Sequence, residues 1–186
     1  MTFKLPSQIR YLMLLFSSLI VVCATAQAQS NTDLSQYTLG SGDVVKITVF
    51  GQDDLSVQTR LSNIGIINYP FLGEINLVGL TVNEVESRID RGLRGDYLVN
   101  PSVSVTVLEY RPFFIDGAVN RPGSYPYQPS LSVNKAAALA GGFTERASRE
   151  KIIIVRKITG VETTIEATAS DVILPGDIVT VQERFF

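Results

Sequence analysis

The chain has 186 residues, 45% of them hydrophobic, with 16 Lys and Arg against 18 Asp and Glu, a net charge of −2. It contains no His, no Trp and a single Cys, Cys23. These absences exclude Ser-His and Cys-His nucleophile pairs, imidazole metal sites, thiolate clusters and intrachain disulfides; carboxylate-only catalysis survives them.

Residues 1–28 read as an export signal. Lys4 and Arg10 supply the basic start. Tyr11 to Val22 is an apolar run interrupted by Ser17 and Ser18, and Ala26-Gln27-Ala28 is an A-x-A cleavage site, with Ala24-Thr25-Ala26 as a second candidate. The run is short for a retained span, which needs about 20 residues. Cys23 follows Val22, which is bulky for a lipoprotein signal, so Cys23 is expected to leave with the peptide; lipid on Cys23 is the alternative. Cleavage removes two basic residues and no acidic one. The remainder has no basic stripe for nucleic acid or anionic lipid and no apolar stretch of spanning length.

Residues 29–36 form a polar leader. Tyr37 to Asp43 is turn chemistry, and Val44 to Phe50 is a strand rich in β-branched residues. Gly51 to Leu55 is a loop. Its adjacent acidic pair, Asp53-Asp54, is expected to be a solvated tip rather than a cation site, because neighbouring loop side chains diverge. Strands follow at Val57–Leu61 and Ile64–Tyr69, with a short third around Glu74–Leu77. Thr81 and Glu84 then form an S/T-x-x-E capping box, with Leu80 and Val85 at the staple positions. Val82, Val85, Ile89 and Leu93 share one helical face, and Gly92 and Gly95 offer stops.

Pro101 to Val107 alternates strictly, as a half-buried strand does. Arg111 to Val119 is another strand. Arg121-Pro122-Gly123-Ser124 fits a type II turn, with Pro at i+1 and Gly at i+2. A second helix starts at Ser132, buries Val133, Ala136, Ala137 and Ala140, and ends at Gly141-Gly142. Strands at Lys151–Lys157, Val161–Ala167 and Ile178–Val181 complete the chain. Gly42-Asp43-Val44-Val45-Lys46-Ile47 is echoed by Gly176-Asp177-Ile178-Val179-Thr180-Val181. Asp43 and Asp177 are possible metal ligands, but a short carboxylate after a Gly turn ordinarily satisfies turn backbone groups. The expected fold is α+β, two small modules in series over 37–111 and 112–186.

These residues resemble the bacterial outer-membrane polysaccharide export proteins, the Wza-like family. The first module carries Leu39, Gly42, Asp43, Tyr69-Pro70-Phe71-Leu72-Gly73, Gly79-Leu80-Thr81, Glu84 and Asn100-Pro101-Ser102-Val103. Gly117-Ala118-Val119-Asn120-Arg121-Pro122-Gly123-Ser124-Tyr125 is similar to the opening of an SLBB domain, a β-grasp module. Ala140-Gly141-Gly142 and Leu174-Pro175-Gly176-Asp177 resemble its later landmarks. The resemblance implies a non-enzymatic subunit of a homo-oligomeric periplasmic ring at the outer membrane, with capsular or exopolysaccharide as cargo and no cofactor. It implies an inner-membrane polysaccharide co-polymerase as partner. The long members continue into an amphipathic membrane helix; this sequence reaches Phe186 directly after its last strand, so a separate outer-membrane β-barrel, or lipid on Cys23, is the expected membrane connection.

Gly42, Gly73, Gly79, Gly117, Gly123 and Gly176 are expected in backbone roles, beside the motif prolines Pro70, Pro101 and Pro122. Tyr97, Tyr110, Phe113, Phe114, Tyr125 and Tyr127 form an aromatic stretch, either core and interface or a surface for sugars. Asn120, Arg121 and Tyr125 are candidate polymer or subunit contacts. No GxxxxGK[ST] loop is present, so no nucleotide chemistry is expected. Two rivals remain at this point: a monomeric periplasmic β-grasp module holding a soluble ligand, and a carboxylate-based lyase or hydrolase.

Overall fold

A computed structural model describes residues 36–158 and 160–184. The export-signal and Cys23 readings lie outside the described residues. The first strand, β1 (Val44–Val49), alternates as its sequence demands: Val45, Ile47 and Val49 are buried and Lys46 is exposed. It is the centre of a three-stranded antiparallel sheet, flanked by β2 (Val57–Arg60) and β5 (Val103–Glu109). A hairpin, β3 (Ile66–Tyr69) and β4 (Gly73–Asn76), pairs Tyr69 with Gly73. Asp53-Asp54, read as loop, lie in a single 3-10 turn, Asp53–Leu55, which buries Leu55 and leaves both carboxylates exposed.

Helix α1 (Val82–Leu93) forms where the capping box places it. The Thr81 hydroxyl accepts from the Glu84 N–H, and the Glu84 carboxylate accepts from the Thr81 N–H at 2.7 Å. Val85, Ile89 and Leu93 are fully buried against the sheet and hairpin residues. Gly92 does not stop the helix. It lies inside it, where a Cβ would stand 2.8 Å from Leu72, so its role is close packing. The stop is Gly95, at φ 90.

The second module is a five-stranded mixed sheet of order β7-β6-β10-β8-β9 with one helix against it, the strand order of a β-grasp. Its strands are β6 (Phe113–Gly117), β7 (Gly123–Tyr125), β8 (Ala147–Ile158), β9 (Val161–Ala167) and β10 (Ile178–Glu183). β10 runs parallel to β6 and antiparallel to β8. Helix α2 (Val133–Leu139) is capped by Ser132 and buries Val133, Ala136 and Ala137. It ends in a Schellman motif, with Gly142 N–H on Ala137 O at 2.8 Å and Gly141 N–H on Ala138 O at 3.1 Å.

The type II turn expected at Arg121–Ser124 does not form. Gly123 has no positive φ and instead opens β7, opposite Ile115. The reason is tertiary: Gly123 and Ser124 pair with Ile115 and Phe114 of β6, and the Arg121 carbonyl that the turn would offer to the Ser124 N–H accepts instead from the Tyr125 hydroxyl at 2.7 Å. β7 has only three residues, too few for a period to show.

Each module has its own buried cluster, and Tyr110 packs against both. Its ring meets Tyr37 edge-on at 5.1 Å and Tyr127 edge-on at 5.6 Å. All described residues belong to one compact unit.

Candidate functional site

The two Gly-Asp turns of the sequence echo are the best-defined polar feature of the molecule, and they meet at one arginine. Asp43 is fully buried. One oxygen, Oδ2, accepts from the Gly40 N–H at 2.8 Å and from the Tyr37 hydroxyl at 2.6 Å; Oδ1 accepts from the Arg111 N–H at 2.7 Å. The Asp43 N–H returns to Gly40 O, across a turn whose Gly42 sits at φ 96. Asp177 repeats this device. Its Oδ2 accepts from Leu174 N–H at 2.7 Å, its N–H returns to Leu174 O, and Gly176 has φ 85.

Each carboxylate has a guanidinium. Arg156 grips Asp177 with two bonds of 3.0 and 2.7 Å. Arg111 lies 3.4 Å from Asp43, donates to the Tyr37 hydroxyl at 2.8 Å, and donates through Nε to Pro175 O at 3.1 Å. Arg111 therefore joins the first turn to the second. The fit is close: a Cβ on Gly40 would collide with its guanidinium, and one on Gly176 would stand 2.7 Å from its Nε. Burial, and then the adjacent Asp43 carboxylate, push the Tyr37 phenol far above its usual value. Burial raises Tyr69 to about 12, with its hydroxyl on Leu55 O at 2.7 Å. The oxygens of Asp43 and Asp177 accept from N–H, O–H and guanidinium groups, the surroundings of structural carboxylates rather than of metal ligands. This is a brace between modules.

The sequence reading has Arg111 only as the first residue of a strand, not as a site residue. The signal that points to it is indirect: a turn that buries a carboxylate needs a cation nearby. Nothing in the local pattern says which of the basic residues answers.

Asn120, Arg121 and Tyr125 are brought together on the C-terminal end of α2. Asn120 Nδ2 donates to Gly141 O at 2.8 Å, Arg121 Nη2 reaches Leu139 O at 3.4 Å, and the Tyr125 hydroxyl donates to Arg121 O at 2.7 Å. A cation beside the last helical carbonyls suits the helix dipole. Asn120 and Arg121 remain exposed. Gly42, Gly73, Gly79, Gly117 and Gly176 all lie at positive φ, from 68 to 96. Pro101 is buried and Pro122 exposed, while Pro70 opens the turn between β3 and β4.

The aromatic stretch divides. Phe113 and Tyr127 are core, whereas Phe114 and Tyr97 are each 47% exposed. Tyr97 has a partner the sequence reading did not single out. Phe71 is 64% exposed and stacks on Tyr97 with centroids 4.8 Å apart and planes at 27°. The Tyr97 hydroxyl donates to Phe71 O at 3.3 Å. Phe71 holds φ 64, the left-handed region. That conformation costs a non-glycine residue about 1–2 kcal/mol, and an aromatic pair returns about 0.5–1.5 kcal/mol. The two roughly cancel, so folding gains little from a phenylalanine here over a glycine.

Residues 31–108 match the family model for the polysaccharide biosynthesis/export protein, and residues 112–166 match that of the SLBB domain. The chain carries a polysaccharide biosynthesis/export domain followed by an SLBB domain. Tyr110 and Arg111, which tie the cores and the turns together, fall between the two matches. Over 82 residues this chain is 40% identical to the exopolysaccharide production protein ExoF of Rhizobium meliloti (strain 1021), covering 42% of this chain and 19% of that one. It is 28% identical over 184 residues to the EPS I polysaccharide export outer membrane protein EpsA of Ralstonia nicotianae, covering 80% of this chain and 48% of the relative. EpsA of Ralstonia solanacearum is 27% identical over 147 residues, with coverage of 61% and 39%. The chain thus spans from about a fifth to about half of the length of these relatives.

Proposed function

We propose that this export protein works in the transfer of an exopolysaccharide or capsular polysaccharide out of a Gram-negative cell, as a non-catalytic component of an export complex. The observation that carries the reading is the order of its parts. An export domain is followed directly by an SLBB domain, and relatives that match this chain are named for exopolysaccharide production and export. The brace supports a mechanical role. Its buried carboxylates are spent on N–H groups and guanidinium ions inside the fold, which suits a rigid body that must keep its shape beside a moving polymer. Among the described residues, no helix is long and apolar enough to cross a membrane.

The finer picture follows the family resemblance. Copies of the chain close head-to-tail into a ring around a passage, a heterologous contact that must complete a circle. The ring lies in the periplasm against the outer membrane, receives polymer from an inner-membrane co-polymerase, and hands it to a separate outer-membrane β-barrel. The module boundary falls at Arg111-Pro112, where the brace is. Deletion of the gene, with surface and secreted polysaccharide measured as total hexose, tests the reading. Surface polymer should fall and be restored by the intact gene. Normal surface polymer in the deletion strain would overturn it.

A further inference from the structure

We infer that Phe71 and Tyr97 form a saccharide-stacking platform, a site where the flat apolar face of a pyranose ring rests as the polymer passes. The inference rests on the export reading and deepens it by naming the contact. Three observations converge on these rings. Both are exposed, at 64% and 47%, and unlike the exposed Phe50 and Phe114 they stack on each other. They are held against each other: the rings stack at 4.8 Å, the Tyr97 hydroxyl donates to Phe71 O, and the next residue, Leu72, is packed against Gly92 of α1. Finally, Phe71 is held at φ 64, which a glycine would occupy without strain. An exposed phenylalanine kept at a position that favours glycine serves something outside its own fold, since strained backbone concentrates where a side chain is needed for contact.

The chemistry selects the partner. An aromatic face offers dispersion and a negative π-surface to the polarised C–H bonds on one side of a pyranose. It reads no sequence of hydroxyl groups and forms no strong directional bond, so each contact is weak. Weak, repeated contact guides a chain without arresting it. A stacked pair leaves the outward faces of its rings for the sugar, and the hydroxyl of Tyr97, held on Phe71 O, keeps the second ring from rotating away.

The probe is cellohexaose, a neutral oligomer of pyranose rings, with polyethylene glycol of similar length as the ringless control. Saturation-transfer NMR is recorded on the full mature chain and on Phe71→Gly, Tyr97→Ala and Asp53→Ala. Phe71→Gly and Tyr97→Ala should each weaken cellohexaose binding by about two- to tenfold, the range of one aromatic contact. Asp53→Ala, at the exposed 3-10 turn, should bind as wild type, and polyethylene glycol should give no transfer to any of them. In Phe71→Gly the strain relieved and the stacking lost roughly cancel, so its circular dichroism and thermal midpoint should match wild type, and lost binding there is not lost folding. Equal binding by wild type and both aromatic variants, or no binding by wild type, overturns the platform. So does a change in sedimentation coefficient in Phe71→Gly, which would make the rings a contact between copies. Those results leave the export reading standing, because it falls only to normal polymer output in the deletion strain.

Discussion

Replacing Asp43 by Asn keeps the shape of the brace and removes its charge. The side chain is fully buried, and its oxygens receive the Gly40 N–H, the Tyr37 hydroxyl, the Arg111 N–H and the edge of the Arg111 guanidinium. Every neighbour is a donor. An amide can offer one oxygen, so its NH2 must face either Gly40 N–H or Arg111 N–H, donor against donor. Breaking a buried ion pair by removing one partner costs about 3–5 kcal/mol. The Arg111 side chain is 24% exposed and keeps Tyr37 and Pro175 O, which argues for the lower end. A loss of about 3 kcal/mol is expected, from a total of about 5–15 kcal/mol for a domain. The assay is urea unfolding followed by circular dichroism. With a slope near 2 kcal/mol per molar, the midpoint should fall by about 1.5 M. The control is Arg60→Ala. Arg60 and Glu109 pair at 2.6 Å, closer than Arg111 and Asp43, but with side chains 59% and 61% exposed. Exposed pairs contribute about 0–1 kcal/mol. If Asp43→Asn costs no more than Arg60→Ala, burial does not set the strength of this contact and the brace argument fails.

Other outcomes follow from the same geometry. Gly176→Ala should destabilise by about 2 kcal/mol in the same assay, through its left-handed backbone and the displaced guanidinium. Thr81→Ala should remove the α1 cap at about 1 kcal/mol, read as a lower thermal midpoint. Hydrogen bonds from Thr81, backbone first, hold the Glu84 carboxyl below its usual 4.5. Its contribution is therefore present above that value and lost as pH falls through the lowered one, so the difference between wild type and Thr81→Ala should shrink in acid. Tyr37 has the opposite sign. Its folded phenol is raised above the ordinary 10.0, so the protein should lose stability as pH rises past 10.0, where only the unfolded chain releases that proton. A flat alkaline stability curve, by calorimetry across that range, would contradict the burial of Tyr37.

Local signals carried much of this fold and stopped at its tertiary joints. The α1 cap, the alternation of β1 and the Gly141-Gly142 stop are encoded within a few residues, and the structure has them where the residues put them. β9 also lies where its residues predict, at Val161–Ala167. Gly123 was misleading because Pro-Gly chemistry is a local preference, and pairing with β6 outcompeted it. Gly92 was misleading because a glycine can mark a helix end or a close neighbour, and only Leu72 in space decides between them. The Gly-Asp echo was visible as two turns. Their shared arginine was not, since Arg111 and Pro175 are brought together only by the closed sheet. Phe71 was legible as a motif residue, but its exposure and left-handed backbone are properties of the hairpin.

The parallel pairing of β6 and β10 sets the order in which the SLBB sheet can be completed. β6 and β7 are made first, then α2, β8 and β9, and the strand that belongs between the two pairs comes after them all. Until Ile178 to Glu183 slides into place, the molecule holds two half-sheets with open inner edges, each able to pair with a stranger. A chain that emerges amino end first would wait in that state for its keystone. Chaperone dependence should concentrate on this interval, and amino-acid changes in β10 should harm yield more than they harm the finished protein.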